Sequence, residues 1–185
     1  MNDVTTILSA IEAGDQAAAS QLLPLVYEEL RRLAAQRLAK EKPGGSVQPT
    51  MLVHDAYLRL VDGDPEKQWH GKSHFFGAAA EAMRRIMIEH ARRKRSAKHG
   101  GKMQRIGLEF LPPDDAPDKT DLLALDEALT KFEEQWPDKA QLVKLRFFVG
   151  MSVQEAADSL GISLSSAERS WVFARAWLHS RIYPR

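Results

Sequence analysis

The sequence predicts an all-α protein made of two small helical domains joined by a flexible acidic linker. Apolar residues recur at every third or fourth position, not every second, in segments rich in the strongest helix formers. Gly- and Pro-containing breaks interrupt these segments. Between residues 96 and 120 the periodicity fails altogether, in a stretch that carries His99-Gly100-Gly101 and Pro112-Pro113-Asp114-Asp115-Ala116-Pro117-Asp118. The domains are therefore expected at 1–95 and 121–185, with 96–120 as the linker.

A first helix is expected from about Asp3 to Ala13, stopping at Gly14. Asp15 is placed to cap a longer helix through Leu38, on which Leu22, Leu23, Val26, Leu30, Leu33 and Leu38 keep helical spacing. Lys42-Pro43-Gly44-Gly45-Ser46 breaks it. Thr50 is expected to cap a third helix, Met51 to Leu60, with Leu52, Ala56 and Leu60 on one stripe and Val53 and Tyr57 beside it. Asp62-Gly63-Asp64-Pro65 ends that helix, and a loop with Trp69 and His70 leads to a long one from about Ser73 to Arg95. Its basic last turns suit the negative end of the helix dipole. Helical signals resume at Asp121, then at Pro137 to Val149, Val153 to Leu160 and Ser163 to Ile182. There is no internal repeat.

With 185 residues, 44% hydrophobic and 28% charged, the chain fits a soluble globular protein with a packed core. No apolar stretch approaches the roughly 20 residues needed to cross a bilayer. The start, MNDVTTILSAIEAGD, lacks a basic stretch and cleavage site, so a cytoplasmic location without membrane contact is expected. The absence of cysteine excludes disulfides, thiolate metal sites and thiol redox sensing. The net charge of +1 conceals a segregation of signs. Residues 84–105 hold a local excess of eight positive charges, and residues 109–127 a local excess of six negative ones.

The most specific segment is Val153-Gln-Glu-Ala-Ala-Asp-Ser-Leu-Gly-Ile-Ser-Leu-Ser-Ser-Ala-Glu-Arg-Ser-Trp171, which reads as a helix-turn-helix. Ala156, Ala157 and Leu160 are expected to be buried, Gly161 to make the turn, Ile162 to plug the angle between the helices, and Ser163 to cap the second. The second helix would present Ser165, Ser166, Glu168 and Arg169 to base edges in a major groove, and Arg175 to phosphate. A plain helical hairpin with the same small residues is the structural alternative. Trp171, Phe173 and Trp177 are expected in the core rather than on DNA.

Together, Leu145-Arg146-Phe147-Phe148, Val153-Gln154-Glu155-Ala156-Ala157, Leu160-Gly161-Ile162-Ser163 and Arg175-Ala176 resemble the C-terminal region of extracytoplasmic-function sigma factors. In that family the region reads the minus-thirty-five promoter element. Ser166-Ala167 stands where many relatives carry Thr-Val, and Trp171 to Trp177 is more aromatic than usual, as in one divergent subgroup. The N-terminal half resembles the family's other domain. Leu52 to Leu60 is similar to the helix that grips the polymerase clamp, which implies Val53, Asp55, Tyr57 and Arg59 as polymerase contacts; read alone, this stripe is an ordinary amphipathic core helix.

Trp69 to Arg95 places aromatics before a basic helix. Opening a duplex requires cations along the backbone and a pocket for an extruded base, because unstacking costs a few kcal/mol that stacking and edge contacts must offset. Lys72, Arg84, Arg85, Arg92, Arg93 and Arg95 are the candidate cations, and the loop from Asp62 to Gly71, Trp69 included, with the start of the fourth helix is the candidate pocket at the minus-ten element. A solvated helix end is the alternative for the basic run, and core burial is expected for at least one of Phe75 and Phe76. His54, His70, His74 and His90 form no metal-ligand spacing with a carboxylate, so no metal is expected.

No Gly-rich phosphate loop, nucleophile triad or paired-carboxylate motif is present, so neither enzymatic activity nor a cofactor is expected. The resemblance implies core RNA polymerase and promoter DNA as partners and leaves room for an inhibitory anti-sigma factor. A helix-turn-helix regulator that binds an operator by itself is the alternative, and a small metal-dependent hydrolase is the reading from another class.

Overall fold

The computed structural model describes residues 2–15, 17–18, 21, 25, 28–32, 35, 49–61, 71–96, 105–106 and 120–184. They form helices α1 (Asn2–Glu12), α2 (Pro49–Val61), α3 (Lys72–Ser96), α4 (Leu122–Gln135), α5 (Pro137–Lys144), α6 (Val153–Leu160) and α7 (Leu164–Ile182), with a π-helical turn, Leu145–Val149, continuing α5. Residues 17–18, 21, 25, 28–32 and 35 are helical as well. The fold is all-α, as expected. Among the described residues, extended structure is confined to an antiparallel pair of two-residue strands, β1 (Arg105–Ile106) and β2 (Thr120–Asp121), with Arg105 opposite Asp121.

Local chemistry accounts for most boundaries. Gly14 takes a left-handed φ of 94° after α1, and the Asp15 carboxylate accepts the Ala17 N–H at 3.0 Å, starting the next helix. The α2 boundary differs from expectation: the helix begins at Pro49, so Thr50 lies inside its first turn rather than at its cap. Proline suits this place because its fixed φ is helical and its missing N–H would have had no partner. At the start of α3, Gly71 has φ 124°, and any side chain there would run into the Glu12 carboxylate. That carboxylate accepts the Lys72 N–H at 2.9 Å, tying α1 to α3.

The central element is α3, which packs against α2 on one side and against α4, α5, the π-turn and α6 on others. One continuous apolar cluster therefore runs from Val4 and Leu8 through Phe75, Phe76 and Met83 to Phe132, Phe147, Phe148 and Leu178. Both Phe75 and Phe76 are fully buried, edge to face at 5.1 Å, and Phe147 and Phe148 repeat the arrangement at 5.0 Å. The π-turn ends at Gly150, left-handed with φ 87°, and the Leu145 carbonyl accepts from both Gly150 and Met151.

Candidate nucleic-acid and polymerase interfaces

The chain folds residues 153–182 into a helix-turn-helix for identifiable reasons. Ser152 caps α6: its hydroxyl accepts the Glu155 N–H at 3.1 Å while the Glu155 carboxylate accepts the Ser152 N–H at 2.8 Å. Gly161 adopts φ 67° and its N–H closes onto the Ala157 and Asp158 carbonyls, ending the helix. Ser163 then caps α7 by accepting the Ser166 N–H at 3.2 Å. Ala156 and Ala157 are buried, as expected, and so is Ser159, whose hydroxyl donates to the Glu155 carbonyl at 2.8 Å. Leu160 is half-buried. Ile162 departs from expectation: it is 40% exposed and does not plug the angle between the helices. That place in the packing belongs to Ala167, Trp171 and Ala174 of α7.

The outer surface of α7 is open. Ser165, Glu168 and Arg169 are exposed and Ser166 is half-buried. The Arg169 guanidinium donates to Ser166 Oγ at 3.2 Å, and Ser163 Oγ donates to the same oxygen at 2.9 Å, so Ser166 orients its neighbours. Val172, absent from the sequence-based set, continues the stripe one turn further and is 64% exposed. Its signal was the spacing from Ser165, Glu168 and Arg169.

Arg175 is half-buried on the flank of α7. Arg146, from the π-turn, stacks on Trp171 with 4.2 Å from guanidinium to ring centre. Burial and the nearby Arg175 push Arg146 down to about 10, and burial lowers Arg175. Two cations brought together attract phosphate more than either alone. Trp171 is buried as expected, and Trp177 is half-buried. Phe173 is 40% exposed, although it still packs on Trp136 at 5.1 Å.

Along α3 the basic residues separate by face. Arg85, Arg92 and Arg93 are exposed, and Lys72 is half-buried at the first turn. Arg84 departs from the expected role as a cation facing DNA. It is 8% exposed, with Nε donating to Asp126 at 2.7 Å and a terminal nitrogen donating to Thr130 Oγ1 at 2.8 Å. Its i+7 spacing from Gly77, on the side packed against α4 and α5, accounts for this. Trp69 lies outside the described residues, as does the side chain of Arg95.

On α2, Val53 is 1% exposed and belongs to the core with Leu52, Ala56 and Leu60, which corrects its expected role as a polymerase contact. Asp55 and Tyr57 are half-buried. Arg59 is exposed and clamps Glu89 of α3 through bonds of 3.2 and 2.6 Å; that hydrogen bonding holds the Glu89 carboxyl below its ordinary range. The outer surface of α2 is made by Met51, His54 and Leu58, which the motif had not singled out.

Among the described residues, no group of three or more His, Asp or Glu comes together as a metal site, and no helix is long and apolar enough to cross a membrane. No curated protein and no solved structure matches the chain. Residues 1–183 match the family model described as ECF sigma factor. Nearly the whole chain is thus accounted for by one family, and the protein belongs to the ECF sigma factors, transcription initiation factors that work with core RNA polymerase at promoter DNA.

Proposed function

We propose that this sigma factor divides its work between its two halves. Residues 121–185 read the minus-thirty-five element through α7, with Ser165, Glu168, Arg169 and Val172 at base edges and Arg175 and Arg146 on the flanking phosphates. Residues 1–95 bind the polymerase clamp through the outer face of α2, Asp55, Arg59 and Tyr57 included. The same half opens the minus-ten element, with Lys72, Arg85, Arg92, Arg93 and Arg95 along the backbone and the loop with Trp69 taking an extruded base. The polymerase performs the chemistry.

The observation that carries this reading is the recognition stripe. A helix capped at Ser163 and buried through Ala167, Trp171 and Ala174 holds its opposite face, Ser165 to Val172, open to solvent. A solvated polar face is ordinary for a surface helix; its place directly after the capped α6 and the Gly161 turn, in a chain that matches the ECF sigma factor family, favours a recognition helix over a plain hairpin.

Run-off transcription and pull-down with purified core bacterial RNA polymerase and genomic promoter fragments test the proposal. Stable binding with new start sites is expected. Specific DNA retention by the protein alone, without polymerase binding, would favour a stand-alone regulator. Arg169→Ala is expected to cost about 1–3 kcal/mol of discrimination at one promoter position while polymerase binding is unchanged.

A further inference from the structure

We infer that Trp171 is a positioning residue for DNA binding: its ring holds the Arg146 guanidinium beside Arg175, so that both arginines close on one backbone phosphate flanking the minus-thirty-five element. The inference deepens the reading of α7 proposed above and rests on it. Arg146 comes from the π-helical turn Leu145–Val149, and Trp171 and Arg175 stand one turn apart on the same side of α7. Trp171 is 7% exposed, so the core fixes its ring, and the Arg146 guanidinium lies 4.2 Å from the ring centre. A guanidinium stacked on a ring directs its N–H groups outward in its own plane, the geometry in which a phosphate accepts two of them.

The second arginine completes the site. Arg175 Nε is enclosed by protein with no hydrogen-bond partner among the described residues. An enclosed donor of this kind is costly until an acceptor arrives. Burial and then the charge of Arg175 oppose the cation at Arg146, and an anion shared by the two relieves both effects. Position selects phosphate as that anion. Arg175 lies six residues beyond Arg169, about 9 Å along the helix, which carries it from the bases of a major groove to the rim where the backbone runs. The aromatic residue that sets this chain apart at position 171 thereby has a use that core packing does not require. An aliphatic side chain would fill the same space and hold no guanidinium.

The test uses holoenzyme reconstituted from the full chain and core bacterial RNA polymerase, with affinity for the most tightly retained genomic fragment measured across a salt series. Arg146→Ala and Arg175→Ala should each weaken binding by about three- to tenfold. The double variant should lower the slope of log affinity against log salt by about 1 rather than about 2, because a single phosphate is given up. Trp171→Leu should weaken binding as Arg146→Ala does and add nothing in the Arg146→Ala background, whereas Trp171→Phe should stay within about twofold of wild type. Arg146→Lys keeps the charge and leaves Trp171 in place, yet should fall with Arg146→Ala, so it decides the matter even where Trp171→Leu loses helix content. Wild-type affinity in Arg146→Lys, or a Trp171→Leu loss undiminished in the Arg146→Ala background, would overturn the positioning role. A slope change of about 2 in the double variant would overturn the shared phosphate. Unchanged affinity in both single arginine variants, with Arg169→Ala still altering base preference, would remove this site and leave the reading of α7 standing. If Arg169→Ala is silent as well, that reading falls and the site with it.

Discussion

On the inward face of α3, Arg84 is nine-tenths buried and donates to Asp126 and Thr130; one residue on, Arg85 points to solvent and meets Glu81 at 3.1 Å. Arg92 and Arg93, two turns later, are open. An α-helix turns about 100° per residue, so a run of charges along the sequence divides into populations with different surroundings. The inward population is structure, worth most when every partner is present. The outward population is available to a polyanion and adds little to the fold.

This contrast is most exposed to failure at Arg84. Arg84→Ala is expected to lower the unfolding free energy by roughly 2–4 kcal/mol, since it takes the guanidinium from Asp126 and Thr130, while Glu133 keeps Lys144. That lies below the loss for a fully buried pair because the Glu133 side chain keeps 33% of its exposure. Arg85→Ala should change stability by less than about 0.5 kcal/mol in the same denaturation experiment. Similar losses at the two sites would break the comparison.

Acid sharpens it next. Burial opposes ionisation of Glu81, but Lys144, Arg84 and Arg85 outweigh burial and hold its carboxyl below the ordinary 4.5. A carboxyl depressed in the folded state contributes stability that is complete above its ordinary value and lost as pH falls through the depressed one. Stability should therefore hold above pH 4.5 and decline below it, and Glu81→Gln should flatten the decline. Glu89 is depressed by Arg59 as well but is largely solvated, so Glu89→Gln should leave the acid limb nearly as it was. Superimposable profiles for wild type and Glu81→Gln would assign the acid limb to other groups.

On the outward face, Arg92→Ala/Arg93→Ala should reduce the slope of log affinity against log salt for promoter DNA by about 1 to 2, with the helix content of the protein unchanged. A small effect is also expected at Arg59→Ala, whose exposed pair with Glu89 contributes about 0.2–1 kcal/mol to the fold. A larger stability loss there would make the α2 surface part of the structure rather than a docking face.

The helices were legible because periodicity and caps are local. Gly14, Asp15, Gly161 and Ser163 each act where they stand in the chain, and the alanine pair of α6 had no other use than close packing. The Ser152–Glu155 box was equally legible as Ser-x-x-Glu, and it passed unread. Arg84, Val53 and Ile162 were misplaced for another reason. A resemblance assigns a motif to a surface, but the face each residue takes depends on which elements pack where: α3 on α4 and α5 for Arg84, α2 on α3 for Val53, and α6 on α7 for Ile162. Lys144 shows the same limit: in sequence it is one more lysine, and its burial goes with two carboxylates, Glu133 on the preceding helix and Glu81 on α3, far earlier in the chain.

The two-residue ladder between β1 and β2 also fixes how the chain enters α4. With Arg105 opposite Asp121 and Ile106 opposite Thr120, the backbone that becomes helical at Leu122 is anchored by pairing to a segment earlier in the chain. So few backbone bonds contribute no more than a few kcal/mol. The entry to α4 can therefore fray at small cost while Leu125, Leu129 and Phe132 keep the rest of the helix in the core.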